Sequence, residues 1–175
     1  RLEAWVASVD TAHVDYEAIR HAESLADEGD PEESLDAATA AAKWIVVVRV
    51  ESIRLTAMSG NTITSHVERT LKGPPRDRIE VLQGSGLYPE PDWKTMVIVD
   101  DPGEPLLLPR HRYLLFLEED PRFPPYVQPF SGWYELQDGT VHALPLNPFR
   151  GEVGGLLERD FVHLVEASAR RAGGR

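Results

Sequence analysis

At 175 residues the chain is long enough for one domain with a proper core, burying about 70% of the surface its unfolded form exposes, and too short for two. A composition of 42% hydrophobic and 27% charged residues, with 14 Pro and 13 Gly, excludes collagen-like, coiled-coil and wholly disordered chains; without cysteine there is no disulfide, thiol nucleophile or thiolate metal site. The net charge of −11 is concentrated at one end: residues 1–40 hold two basic and eleven acidic side chains, a balance of −9, leaving −2 for 41–175, so nucleic acid would meet no broad basic field and is a poor partner.

Taken in chain order, the first stretch reads as helical. Leu2, Trp5, Val6 and Val9, then Val14, Ile19, Ala22 and Leu25, fit helical spacing moderately well. Asp27 to Glu33 is an acidic, turn-rich break; its Gly29 and Pro31 fall where a calcium loop needs ligands, so it reads as a solvated loop. Ser34 is placed to cap a short Ala-rich helix through Ala42.

At Lys43 the pattern changes to strands. Trp44, Val46, Val48 and Val50 share one face, then Ile53 and Leu55 carry the apolar phase, so a bulge is expected near Ser52 in one long strand. Ser59, Gly60 and Asn61 make the turn into Thr62 to Leu71, with Ile63, Val67 and Leu71 inward and Thr64, His66, Glu68 and Thr70 outward. Arg78 to Gln83 follows as a short strand carrying Ile79 and Val81. Gly84 to Trp93 is expected to be a long loop. Met96 to Val99, Pro105 to Leu108 and Arg112 to Glu118 are further strands, the last apolar on both faces and therefore central. Tyr126 to Phe130, Trp133 to Gln137 and Thr140 to Leu144 complete the set, with Asp138 and Gly139 as a two-residue hairpin turn. A terminal helix presents Leu156, Leu157, Phe161, Leu164 and Val165 on one face, and the closing SARRAGGR reads as a frayed end.

Short strands at close spacing with one closing helix predict a mainly β, α+β protein: a small antiparallel OB-like Greek-key barrel with helices packed against it. The divisions are an acidic, partly helical segment (1–43), a barrel (44–150), and a terminal helix and tail (151–175) belonging to the same domain. The expected core includes Val46, Val48, Val67, Leu115 and Leu117. No apolar run approaches the roughly 20 residues that cross a bilayer.

The run AAKWIVVVRVESIRL, the partner strand closing with VERTLKG and the late RYLLFLE strand resemble the netrin-like, or tissue-metalloproteinase-inhibitor-like, version of the OB fold found in exported and lipid-anchored bacterial proteins. The resemblance spans about 60% of the chain, residues 41–144, and implies a five- or six-stranded Greek-key barrel, export or cell-surface location, and a signal or lipid-anchor cysteine upstream of Arg1. The start at Arg1, without methionine, agrees with a trimmed form. Inhibitors of that family insert an N-terminal cysteine into a protease zinc site. Here position 1 is Arg, so the fold is carried over and the inhibitory residues are not.

Signatures of common mechanisms are missing: GxxxxGKS/T, GxGxxG, HExxH, GxSxG and SxxK do not occur. His13, His21, His66, His111, His142 and His163 are scattered singly, without i, i+4 ligand spacing. Asp100, Asp101 and Glu118 to Asp120 sit at strand ends. No catalytic or metal-ligating residue and no cofactor is assigned. Tyr88 and Trp93 in the long loop, with Trp133 and Tyr134 in a turn at 131–134, are the candidate contact residues for a protein or carbohydrate partner; Tyr126 and Phe130 belong to the same aromatic group. The expected function is a noncatalytic extracytoplasmic binding or protein-interaction domain. The alternatives are a small hydrolase assembled from dispersed His and Asp/Glu, and a cysteine-independent protease inhibitor.

Overall fold

The computed structural model describes residues 1–23, 34–56, 61–100, 105–119, 127–143 and 150–173, with the backbone alone at 23, 127–132 and 150. In chain order the elements are α1 (Leu2–Ser8), β1 (His21–Glu23), α2 (Leu35–Ala41), β2 (Trp44–Leu55), β3 (Asn61–Lys72), β4 (Arg78–Gln83), β5 (Gly86–Pro89), β6 (Met96–Asp100), β7 (Arg112–Glu119), β8 (Val127–Gln137), β9 (Thr140–Ala143), α3 (Arg150–Val153) and α4 (Glu158–Gly173). The protein is mainly β with helices, the α+β class. One sheet has six strands in the order β4-β3-β2-β7-β8-β9, and a second has three in the order β1-β6-β5. A single parallel pair, Val81 with Val127, joins β4 to β8, so the large sheet curls round on itself without a full closing ladder.

β2 carries two cores because both its faces are covered. Trp44, Val46, Val48, Val50, Ile53 and Leu55 point into a first core with Ile63, Val67, Val81, Leu115 and Leu117. Ile45 and Val47 point the other way, into a second core where α2 and α4 supply Leu35, Ala38, Phe161, Val162 and Val165. The phase switch is the expected bulge: pairing to β3 shifts between Val50 and Ser52, leaving Glu51 as the extra residue and returning Ile53 to the side of Val50. β7 lies between β2 and β8 and alternates in the same way, Tyr113, Leu115 and Leu117 inward and Leu114 and Phe116 under the helices.

Ser34 caps α2 by accepting the Ala37 amide at 3.0 Å. At the other end, the Lys72 ammonium donates to the Thr39 and Ala40 carbonyls, each at 2.7 Å, where the helix leaves its last acceptors open. The Asp138 and Gly139 turn has φ of 51° and 74°, the left-handed pair that a tight hairpin of this twist requires.

Several expectations need correction. The N-terminal helix stops at Ser8, whose hydroxyl donates to the Trp5 carbonyl at 2.7 Å, and Val9 is already extended. Val9, Val14 and Ile19 recur every five residues, a spacing that drifts around a helix and suits the irregular strap seen here. Within the 84–93 stretch, Gly86–Pro89 is strand, because β5 pairs with β6. Residues 105–108 form no strand; side chains take their amides instead, with Leu106 N donating to Asp100 Oδ1 at 2.8 Å, Leu107 N to Gln83 Oε1 at 2.9 Å and Leu108 N to the Tyr113 hydroxyl at 3.0 Å. Leu71 joins the second core, since register shifts around Glu68 and Leu71 turn that end of β3 over. Residues 127–137 form one strand where two were expected. The helical stripe is Phe161, Val162, Val165, Ser168 and Ala169, so Leu157, which precedes α4, and Leu164, on its flank, are 46% and 44% exposed. The expected frayed tail is helical through Gly173, with Ser168 buried and Arg171 paired with Asp36. The expected turn at 59–60 falls outside the described residues.

Arg112 ties three elements together. It donates to both Glu158 oxygens at 2.9 Å and to Glu68 at 2.8 Å, joining β7 to the first turn of α4 and to β3. Burial alone would raise the Glu68 carboxyl, but Arg112, with help from Arg49, outweighs it and holds the group below its ordinary value of 4.5. Because the folded value is the lower one, Glu68 stabilises fully above pH 4.5 and loses its contribution as the pH falls through the depressed value. Glu68→Gln is therefore expected to melt earlier than the wild type at pH 7, with the gap narrowing as the pH falls below the usual carboxylate range. Thermal melts across a pH series check this; a constant gap contradicts it.

Candidate binding cleft

The strap of residues 9–19 crosses the end of the first core. Thr11 fixes it by donating to the Ile53 carbonyl at 2.7 Å, and the Tyr16 hydroxyl donates to the Thr11 carbonyl at 3.0 Å. Tyr16 is buried, which pushes its phenol up to about 12. Asp10 accepts the Ala12 amide and pairs with His13 at 2.7 Å; these contacts hold its carboxyl below the usual range. Asp15 accepts the Ala18 amide at 3.3 Å.

Opposite the strap stands the β5–β6 hairpin tip. Asp92 Oδ1 accepts the Lys94 and Thr95 amides at 2.9 and 3.1 Å, and Trp93 N donates to the Glu90 carbonyl at 2.8 Å. This geometry puts Trp93 at φ 61°, a conformation costing a bulky side chain about 1–2 kcal/mol. Arg20 pairs with Glu90 and binds the strap to the tip.

Between strap, tip and α1 lies a cleft of about 590 Å³. Trp5, Val9, Val14, Ile19, Trp93 and Met96 give it apolar walls, and Ser8, Asp10, His13, Asp15 and Lys94 add polar groups. Trp5 is 9% exposed, Trp93 is half-buried, and the Arg1 guanidinium sits 4.8 Å from the Trp93 ring centre.

The four candidate aromatics are not brought together. Trp93 lines the cleft. Tyr88 is half-buried on β5, donates to the Gly84 carbonyl at 3.1 Å and stands outside the lining. Trp133 and Tyr134 are 1% and 0% exposed and lie within β8, paired with Leu115 and Leu114, so neither forms a contact surface. Adjacent strand residues face opposite sides, and here both sides are covered: Trp133 enters the first core and Tyr134 packs on Phe161, ring centres 4.8 Å apart. The side chains of Tyr126 and Phe130 lie outside the described residues. Trp5, read from the sequence as a helix-face residue, is the wall that was missed; its neighbour Trp93 is 88 positions away, and no local spacing links them.

The histidines are less scattered in space than in sequence. His111 Nδ1 lies 2.5 Å from Glu135 Oε1 and its Nε2 3.6 Å from Glu17, beside a second cleft of about 620 Å³ that Tyr16 and Arg110 also line. His21 Nδ1 lies 2.5 Å from Asp100, across the β1–β6 pairing. Sequence separations of 24 and 79 residues hid both pairs. Among the described residues, no three His, Asp or Glu side chains converge on a metal-binding position, and no helix is long and apolar enough to cross a membrane.

No protein-family model, curated protein or solved structure matches the chain.

Proposed function

We propose that this chain is a noncatalytic extracytoplasmic binding domain of the netrin-like OB type, engaging a protein or carbohydrate partner through the cleft between Trp5 and Trp93. The observation that carries the reading is Trp93 itself: an aromatic residue held at φ 61° on a hairpin tip, where glycine would sit without strain, with its ring against an open cleft of mixed apolar and polar lining. Support for the OB type comes from the strand order β4-β3-β2-β7-β8 and the parallel approach of β4 to β8, the arrangement of a partly open Greek-key barrel. Export and surface attachment rest on the sequence resemblance alone.

The test is a titration with benzyl alcohol, a neutral aromatic probe, followed by NMR at the four tryptophan indole N–H signals. Trp5 and Trp93 are expected to shift saturably while the buried Trp44 and Trp133 stay still. In Trp93→Gly, relief of the left-handed strain offsets lost packing, so the melting point changes little while the Trp5 shift disappears. No saturable shift, or equal shifts at all four indoles, overturns the reading.

A hydrolytic reading draws on His111 and Glu135. A carboxylate that orients an imidazole beside a cleft is half of a general-base arrangement. Ester turnover that vanishes in His111→Gln, with the melting point kept, would put that reading first.

A further inference from the structure

We propose that the Trp5–Trp93 cleft receives an arginine side chain presented by a basic segment of a partner protein; this rests on the binding-domain reading above. Four observations converge on that occupant. Two of the wall residues, Trp5 and Trp93, are indoles, and a guanidinium is the planar, weakly hydrated cation that stacks on such rings. Val9, Val14, Ile19 and Met96 supply apolar surface for the three methylenes of an arginine stem. Asp10 and Asp15 stand in the lining beside Lys94, with Arg1 at the Trp93 ring, and Asp10 is kept ionised by its contacts to His13 and Ala12. Finally, the molecule already makes one contact of this kind, with the Arg1 guanidinium 4.8 Å from the centre of the Trp93 ring.

The wider charge points the same way. The cleft is built largely from residues 5–19, which carry Asp10, Asp15 and Glu17 and no Lys or Arg, so a basic partner is drawn in and an acidic one repelled. A carbohydrate would use the rings but leave this field without a role.

The experiment compares N-acetylarginine amide with N-acetylcitrulline amide, a neutral near-isostere, and with methylguanidinium, using the indole signals of Trp5 and Trp93 in the intact chain. Arginine is expected to bind about tenfold more tightly than citrulline. The preference should shrink towards parity in Asp10→Asn/Asp15→Asn and weaken as salt is raised. Methylguanidinium, lacking the stem, should bind more weakly than arginine. Equal binding of arginine and citrulline overturns the cation assignment while the cleft reading stands. Equal binding of methylguanidinium and arginine replaces the protein side chain with a small free cation. If none of the three probes, nor benzyl alcohol, shifts the two indoles, both readings fall.

Discussion

Truncating Phe161 to alanine is expected to cost about 3–5 kcal/mol, among the largest effects of any single truncation in the molecule. Phe161 is fully buried in the first half of α4, on the stripe that faces Tyr134, and its backbone amide continues the helix from the Leu157 carbonyl at 3.0 Å. Its ring meets Tyr134 on β8, and the second core continues to Val165 on the helix and Leu114 on β7. Removing the ring leaves a cavity that the sheet is too rigid to close, so the transfer and cavity costs add. For a chain of this size about 2–4 °C of melting temperature corresponds to each kcal/mol, hence a drop of about 6–20 °C. A change under a few degrees would mean that α4 does not depend on this contact.

Leu115 tests the other core. It is fully buried on the central strand β7, pairs with Val46 on one side and Trp133 on the other, and its truncation to alanine is expected to cost about 2–5 kcal/mol. Denaturant unfolding with an unchanged slope would assign the loss to the folded core. The double variant Phe161→Ala/Leu115→Ala should be close to additive, since the two side chains lie in different clusters on opposite faces of the sheet. Strong non-additivity would show that the two layers are mechanically one.

The central strands were legible because local chemistry and tertiary role agree there. Trp44 to Leu55 announces its bulge by the shift of apolar phase, RYLLFLE announces its central place by being apolar on both faces, and Asp138-Gly139 announces its turn by backbone preference. Ser34 and the Ala-rich run after it likewise gave a helix that the structure contains. Where the reading failed, partners distant in sequence decided the outcome. Residues 105–108 have the composition of a strand, but Gln83, Asp100 and Tyr113 take the amides that a neighbouring strand would have taken. Trp133 and Tyr134 looked exposed because Ser131 and Gly132 precede them, whereas the β7 pairing, after a register shift at that point, resumes at Trp133 and Tyr134 and sets one ring in each core. Of the candidate site, Trp93 was legible as an aromatic on a loop tip. The strap and Trp5 that complete the cleft were not, because a five-residue apolar spacing has no local structural reading and only the fold gives it a side to face.

The two-sided burial of β2 has a consequence for fidelity of strand alignment. In a sheet with one wet face, slipping a strand by one residue exposes its apolar set, and water enforces the correct match. From Trp44 to Val48 in β2 no such penalty operates, because Ile45 and Val47 are as apolar as Trp44, Val46 and Val48 and either set would suit a greasy layer. Alignment must instead be held by shape and by defects: the extra residues Glu51 on one strand, and Glu68 and Leu71 on the other, are places where only one match lets both ladders continue. The irregularities of the β2–β3 hairpin thus act as the teeth of a key, supplying the uniqueness that hydrophobic patterning cannot.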